Sequence, residues 1–280
     1  MKQLTSLPVR KTFLITRSLS VDNDKNKFYA GRDEDRKIVI IKRFLKEDCF
    51  QRERKIQELL AEGQKHENIL YALAWSDATR TVTFPYAQGG DVGSLLKKAG
   101  KCTLRQAESI MSPLCRALGS IHSKGIVHRD IKPGNLFLQR TGYLSYKVKL
   151  SDFDVGWHKD LDHLDEKGMV YGTPYFMAPE VVMGSTDDPR SDIYAAGIVL
   201  FKLLTGRFPF RGDSVRSAMN AHLKAPIPNA AQYNEQFIVG IQHVVNRALA
   251  KNSDKRYQRV EELGQELCAV VEEAEMQRKY

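Results

Sequence analysis

Three polar residues at fixed separations restrict this 280-residue chain more than anything else in it. They are Asp130, Asn135 five positions later, and Asp152 seventeen positions after that. Asp130 and Asn135 lie in His128-Arg129-Asp130-Ile131-Lys132-Pro133-Gly134-Asn135, where the Pro-Gly pair keeps the backbone out of helix and makes a loop. Asp152 follows the alternating run Tyr146-Lys147-Val148-Lys149-Leu150, which reads as a strand. The chain must therefore fold so that this loop faces the end of that strand. Asp130 can accept a proton, and Lys132 can neutralise an anion beside it. The Asn135 amide and the Asp152 carboxylate offer hard oxygen donors. Together they make a Mg²⁺ site with a base next to it.

Two further motifs follow in order: Gly172-Thr173-Pro174-Tyr175-Phe176-Met177-Ala178-Pro179-Glu180, and Ser191-Asp192-Ile193-Tyr194-Ala195-Ala196-Gly197. With these in place the sequence resembles the eukaryotic-type protein kinases, from about Thr12 to about Glu262. The resemblance implies an α+β, two-lobed fold. A small antiparallel-sheet N-lobe with one main helix would occupy residues 1–84, a hinge 85–91, and a larger helical C-lobe 92–280.

The same resemblance implies ATP-dependent transfer of the γ-phosphoryl group to a hydroxyl of a protein substrate. Asp130 would be the base and Lys132 would stabilise the moving phosphoryl group. Asn135 and Asp152 would hold Mg²⁺, with Mn²⁺ as the alternative ion. Lys42, ending Val39-Ile40-Ile41-Lys42, would position the ATP phosphates. Lys132 and Thr173 point to the serine/threonine class. In the hinge, the Pro85 carbonyl and the Ala87 N–H would meet adenine, with Phe84 behind it and Phe137 beneath. Asp91 would reach the ribose or cap a helix over Val92–Ala99. Arg256 would pair with Glu180.

An acid on the helix of about Glu47 to Glu62 should pair with Lys42. Glu53 fits when counted from the helix start. Glu58 fits when counted back from His66, and both stay open. Two positions depart from the family pattern. The loop Leu19–Lys27, which should cover the ATP phosphates, contains no glycine and carries Asp22 and Asp24. Asp154 follows Asp152-Phe153 where the family has glycine. Extra carboxylates should raise the need for divalent cation. All the reacting residues are present, which favours an active kinase. A pseudokinase that binds a partner is the alternative reading, and a nucleic-acid-binding protein using the net charge of +9 is the third.

Elsewhere the composition is bland. Cys49, Cys102, Cys115 and Cys268 are scattered without CxxC pairing, which argues against a zinc site or a disulfide framework and for a reducing compartment, cytoplasmic or nuclear. MKQLTSLPVRK has no signal-like apolar core, and no run reaches the ~18 apolar residues needed to cross a bilayer. Strands are expected at Thr12–Thr16, Phe28–Ala30, Lys37–Lys42, Tyr71–Trp75, Thr81–Phe84, Asn135–Leu138 and Tyr146–Leu150. Helices are expected at Leu104–Ser123, Asp192–Leu204, Ser214–Lys224, Phe237–Ala250 and Val260–Glu273.

Residues 155–172 contain no serine or threonine, and Tyr171 is their one hydroxyl. They do carry Asp160, Asp162, Asp165 and Glu166. A carboxylate can take a guanidinium through two parallel bonds, as a phosphate does. One of these four acids is expected to hold Arg129 where many kinases use a phosphate.

Overall fold

A computed structural model describes residues 13–19, 26–142, 145–165, 169, 171–185, 187–234 and 239–277. The stretch Ser20–Lys25, which includes most of the glycine-free loop, lies outside the described residues, as do Thr12 and Glu166. The N-terminal lobe is a five-stranded antiparallel sheet. Its strands are β1 (Leu14–Leu19), β2 (Asn26–Arg32), β3 (Ile38–Phe44), β4 (Ala74–Ser76) and β5 (Thr81–Pro85), in the order β1-β2-β3-β5-β4. One long helix, α1 (Glu47–Ala61), packs on it.

β3 forms because Ile38-Val39-Ile40-Ile41 is β-branched throughout and fits a pleated surface. Its period of two puts Lys42 and Phe44 on one face, with the Lys42 ammonium 4.5 Å from the Phe44 ring centroid. Phe44 meets Phe50 of α1 at 5.8 Å between ring centroids. Glu47 and Asp48 favour the start of α1 through the helix dipole. Buried Cys49, Phe50, Glu53, Ile56, Gln57 and Leu60 recur at helical spacing, so one face of α1 points inward. The helix ends at Ala61, and Gly63 takes a left-handed turn that releases the chain.

The C-terminal lobe is helical apart from the hairpin β6 (Leu136–Arg140) and β7 (Tyr146–Leu150). Its helices are α2 (Val92–Ala99), α3 (Leu104–His122), α4 (Pro179–Val182), α5 (Arg190–Thr205), α6 (Val215–Lys224), α7 (Val239–Ala248) and α8 (Val260–Gln277). Thr103 and Gln106 close a reciprocal cap at the start of α3. Fourteen of the sixteen residues of α5 are buried, so even Asp192 in its first turn belongs to the interior. No helix among the described residues is long and apolar enough to cross a membrane.

Several expected strands begin late, two of them for a visible reason. Tyr71–Leu73 is not strand, and β4 starts at Ala74. The N–H of Ala72 donates to the Gln57 side chain of α1 at 2.9 Å, and that of Leu70 to the Leu150 carbonyl, so the ladder cannot start there. Asn135 likewise closes a single 3₁₀ turn, Pro133–Asn135, before β6 begins at Leu136.

The interior divides in two. Phe44, Cys49, Phe50, Leu70, Val82 and Phe84 form a small core in the N-terminal lobe. A much larger core runs from Ile56 and Leu60 through α3, α5, α7 and α8.

Candidate functional site

The loop preceding β6 and the turn following β7 each contain a strained residue. Arg129 has φ +65° and Asp152 has φ +71°, both in the left-handed region that costs a non-glycine residue about 1–2 kcal/mol. Asp192 holds the first of these. Its carboxylate accepts the His128 N–H at 2.9 Å, the Arg129 N–H at 3.0 Å and a bond from His122 Nε2 at 2.9 Å. Burial alone would push the Asp192 carboxyl up. The bonds and charge from His122 and His128 outweigh burial and keep it below the usual carboxylate range. The His128 ring, bonded to the Ser151 carbonyl at 3.0 Å, lies tilted against Phe153 with ring centroids 4.8 Å apart and ties this loop to the Asp152 turn.

Around Asp130 three side chains converge. Lys132 Nζ donates to Asp130 Oδ2 at 2.6 Å and to Thr173 Oγ1 at 3.1 Å. Thr173 Oγ1 donates to Asp130 Oδ1 at 2.7 Å. Asn135 Nδ2 donates to the Asp130 carbonyl at 2.8 Å and to Oδ2 at 3.2 Å, so the amide oxygen is the atom of Asn135 that could face a cation. Gly172 brings Thr173 this close, because a Cβ there would stand 2.4 Å from the Arg129 carbonyl oxygen.

A second cluster surrounds Lys42. Its ammonium bonds Asp152 Oδ1, lies 2.9 Å from Asp154 Oδ2 and lies 3.8 Å from Glu53 Oε2. Burial would lower the lysine, but the charges of Asp152, Asp154 and Glu53 outweigh it and hold it above its ordinary range. Burial, with Asp152 and Asp154 nearby, pushes the Glu53 carboxyl up. Asp152 is raised by burial and by Asp154, against the pull of Lys42. Glu53 also accepts the Phe153 N–H at 2.9 Å and the Gln57 amide at 3.1 Å. Glu58 turns away and pairs with Arg54 at 3.0 Å. Asp154 takes a further bond from Asn26 Nδ2 at 2.8 Å.

One ammonium among three carboxylates leaves this pocket with surplus negative charge. Among the described residues no group of three His, Cys, Asp or Glu side chains stands at metal-binding spacing. A lone carboxylate with an amide oxygen is nonetheless the kind of donor set that suits Mg²⁺, which uses one or two carboxylates and takes its remaining ligands from phosphates and water. The residues therefore fit a divalent cation.

The hinge positions lie where β5 runs out. Phe84 and Ala87 are buried, and Pro85 is the last residue of β5, opposite Val39. Phe137 in β6 packs against the small core. Asp91 caps α2. Its two oxygens accept the Ser94 N–H at 2.8 Å and the Ser94 hydroxyl at 2.6 Å, so its carboxylate is committed to the helix.

Asn26, Arg52, Gln57 and Asp192 are assigned no role by the sequence reading. Asp192 stands in a quoted motif, which was a usable signal. A buried arginine in a charged helix, or an asparagine at a strand start, carries none.

The comparisons agree with this geometry. A model described as the protein kinase domain matches residues 26–267. Serine/threonine-protein kinase PrkC of Bacillus subtilis strain 168 is 32% identical over 205 residues, which is 72% of this chain and 31% of that protein. Serine/threonine-protein kinase PknB of Mycobacterium leprae is 35% identical over 191 residues, 68% of this chain and 30% of its own length. Serine/threonine-protein kinase Pkn1 of Myxococcus xanthus is 39% identical over 151 residues, 53% of this chain and 22% of that protein. The chain thus spans less than a third of the length of these three relatives.

Proposed function

This chain belongs to the protein kinase domain family, and from that premise we propose that it transfers the γ-phosphoryl group of ATP to a serine or threonine hydroxyl of a protein substrate. The observation that carries the proposal is the Asp130 carboxylate, held between Lys132, Thr173 and Asn135 beside a buried Lys42–Asp152 pair. Asp130 orients the hydroxyl and accepts its proton. The hydroxyl oxygen bonds the γ-phosphorus as the bond to the β-bridging oxygen breaks, and ADP leaves. Lys132 lies within reach of the same anion and offsets its charge. Lys42, kept charged by its acids and fixed by Glu53, orients the α- and β-phosphates. When bound, a divalent cation supplies charge neutralisation at the phosphates, and Asn135 and Asp152 would hold it.

The nucleotide would lie between the segments 1–84 and 92–280, with Pro85, Ala87 and Phe137 around adenine. Asp91 contributes to this site by capping α2 rather than by reaching the ribose. The glycine-free loop and Asp154 mark a variant of the family pattern. The test is transfer of labelled phosphate from ATP to a generic basic protein, wild type against Asp130→Ala. Transfer by wild type alone supports the proposal. Equal signals from both would return the chain to the partner-binding reading.

Asp154→Gly should lower the Mg²⁺ concentration needed for half-maximal transfer several-fold and narrow any preference for Mn²⁺. The substitution removes one of three acids and one of the anions that hold Lys42 away from phosphate. A metal titration of both proteins checks this, and superimposable curves would remove Asp154 from the account.

A further inference from the structure

Among the contacts that join the lobes away from both clusters, one centres on a single carboxylate. Asp165 follows the 3₁₀ stretch Lys159–Leu164. Its carboxylate receives Arg129 through two N–H groups, Nη1 to Oδ1 at 3.1 Å and Nη2 to Oδ2 at 2.7 Å. The same Oδ1 stands 2.7 Å from Nη2 of Arg52. Arg129 belongs to the C-terminal lobe and Arg52 to α1 of the N-terminal lobe, and each side chain is 1% exposed. The Tyr171 ring lies 5.1 Å from the Arg52 guanidinium and 5.4 Å from that of Arg129. Two buried cations that would repel each other thus share one anion. The arginines outweigh the effect of burial and hold the Asp165 carboxyl below its usual range, so it stays ionised. Of the other acids expected to compete, Asp160 lies 3.9 Å from Lys55 and Asp162 accepts the Trp157 indole N–H at 3.2 Å.

The sequence neighbour of Arg52 is Glu53. Successive helix residues point about 100° apart, so α1 has one rotation and height at which Arg52 reaches Asp165 while Glu53 reaches Lys42 and the Phe153 N–H. The geometry points to Asp165 as a positioning residue. It is a built-in anion that locks α1, and with it Glu53, to the Arg129 loop, so that phosphoryl transfer needs no phosphate between Asp152 and Glu180. The lock rests on contacts alone, and its effect on turnover rests on the transfer reading above. Residues 155–172 offer no serine or threonine, and the Thr173 hydroxyl is already bonded to Asp130 and Lys132.

The test uses phosphatase-treated full chain, shown by mass spectrometry to lack phosphate in that segment. It compares wild type, Asp165→Asn, Asp165→Glu and Arg52→Gln by transfer kinetics and by amide hydrogen exchange. Phosphate-free wild type should be active. Asp165→Asn should lower kcat by about 10- to 100-fold, the worth of one to two charge-assisted hydrogen bonds. Its α1 amides, and those of Arg52→Gln, should exchange faster by a similar factor while α5 is unchanged. Asp165→Glu should keep most of the activity. Unchanged α1 exchange in Asp165→Asn, or an equal rise in α5, overturns the lock. So does a wild type that is silent until Tyr171 or Thr173 carries phosphate. A wild type inactive in every phosphorylation state, with α1 exchange still raised in Asp165→Asn, removes the transfer reading and keeps the lock.

Discussion

Asp152→Ala reduces phosphoryl transfer to background, a loss of about a hundred- to thousandfold or more, while the chain stays folded. Removing one preorganised charge from a transfer site carries a penalty of that size. The fold survives because Asp152 sits in a pocket with surplus negative charge, and its loss relieves Glu53 and Asp154 of a repelling neighbour. Alanine does add strain at φ +71°, so Asp152→Asn is the cleaner companion, since asparagine tolerates the left-handed region. Both should melt close to wild type and both should be inactive. Lys42→Ala should be equally inactive but unlike Asp152→Ala in stability. It leaves three acids facing one another without their cation, so it should melt well below wild type. Transfer assays and thermal melts on the three variants decide the matter. Wild-type-like turnover in any of them would sink the site assignment.

The largest loss of stability should come from Glu180→Ala. Arg256 is fully buried, and its guanidinium takes both Glu180 oxygens, at 2.5 and 2.7 Å. It also donates to the carbonyls of Ala250, Arg190 and Lys251, and so ties α4 to the start of α5 and to the loop before α8. Deleting Glu180 leaves that cation buried and unpaired, at about 3–5 kcal/mol. Arg256→Met should cost less, because the Glu180 side chain is 14% exposed and water can reach it. Denaturant unfolding of both variants gives the comparison. A loss under about 1 kcal/mol for Glu180→Ala would mean that the carbonyls alone satisfy Arg256.

Much of this molecule is readable from periodicity. The β-branched run of β3 and the helical spacing in α1, α3 and α8 come within a few residues of their observed limits. The reading of an acid on Arg129 found its group but could not choose within it, because Asp160, Asp162, Asp165 and Glu166 all offer a carboxylate in one short run. Only the 3₁₀ stretch before Asp165 decides which of them meets the arginines. Asn26, Arg52 and Asp192 escaped for a common reason. A buried polar residue follows no period, and its partner lies tens of positions away. The Gln57 side chain shows the same limit from the other side, since it takes the Ala72 N–H and shortens a strand that its own letters support.

The two cores are unequal, and that has a thermodynamic consequence. Among the described residues the small core clusters six side chains, with Val39 and Ile41 also buried in β3, and this sets far less against the entropy of unfolding than the large core does. The smaller lobe must borrow its cooperativity from whatever spans the cleft: the Asp165 clamp, the Lys42 cluster and any ligand seated between them. Each of these ties fastens a reacting group and also suppresses local opening of the lobe that carries it. Loss of the Asp165 clamp or of the Lys42 cation should then cost that half of the molecule function and order together.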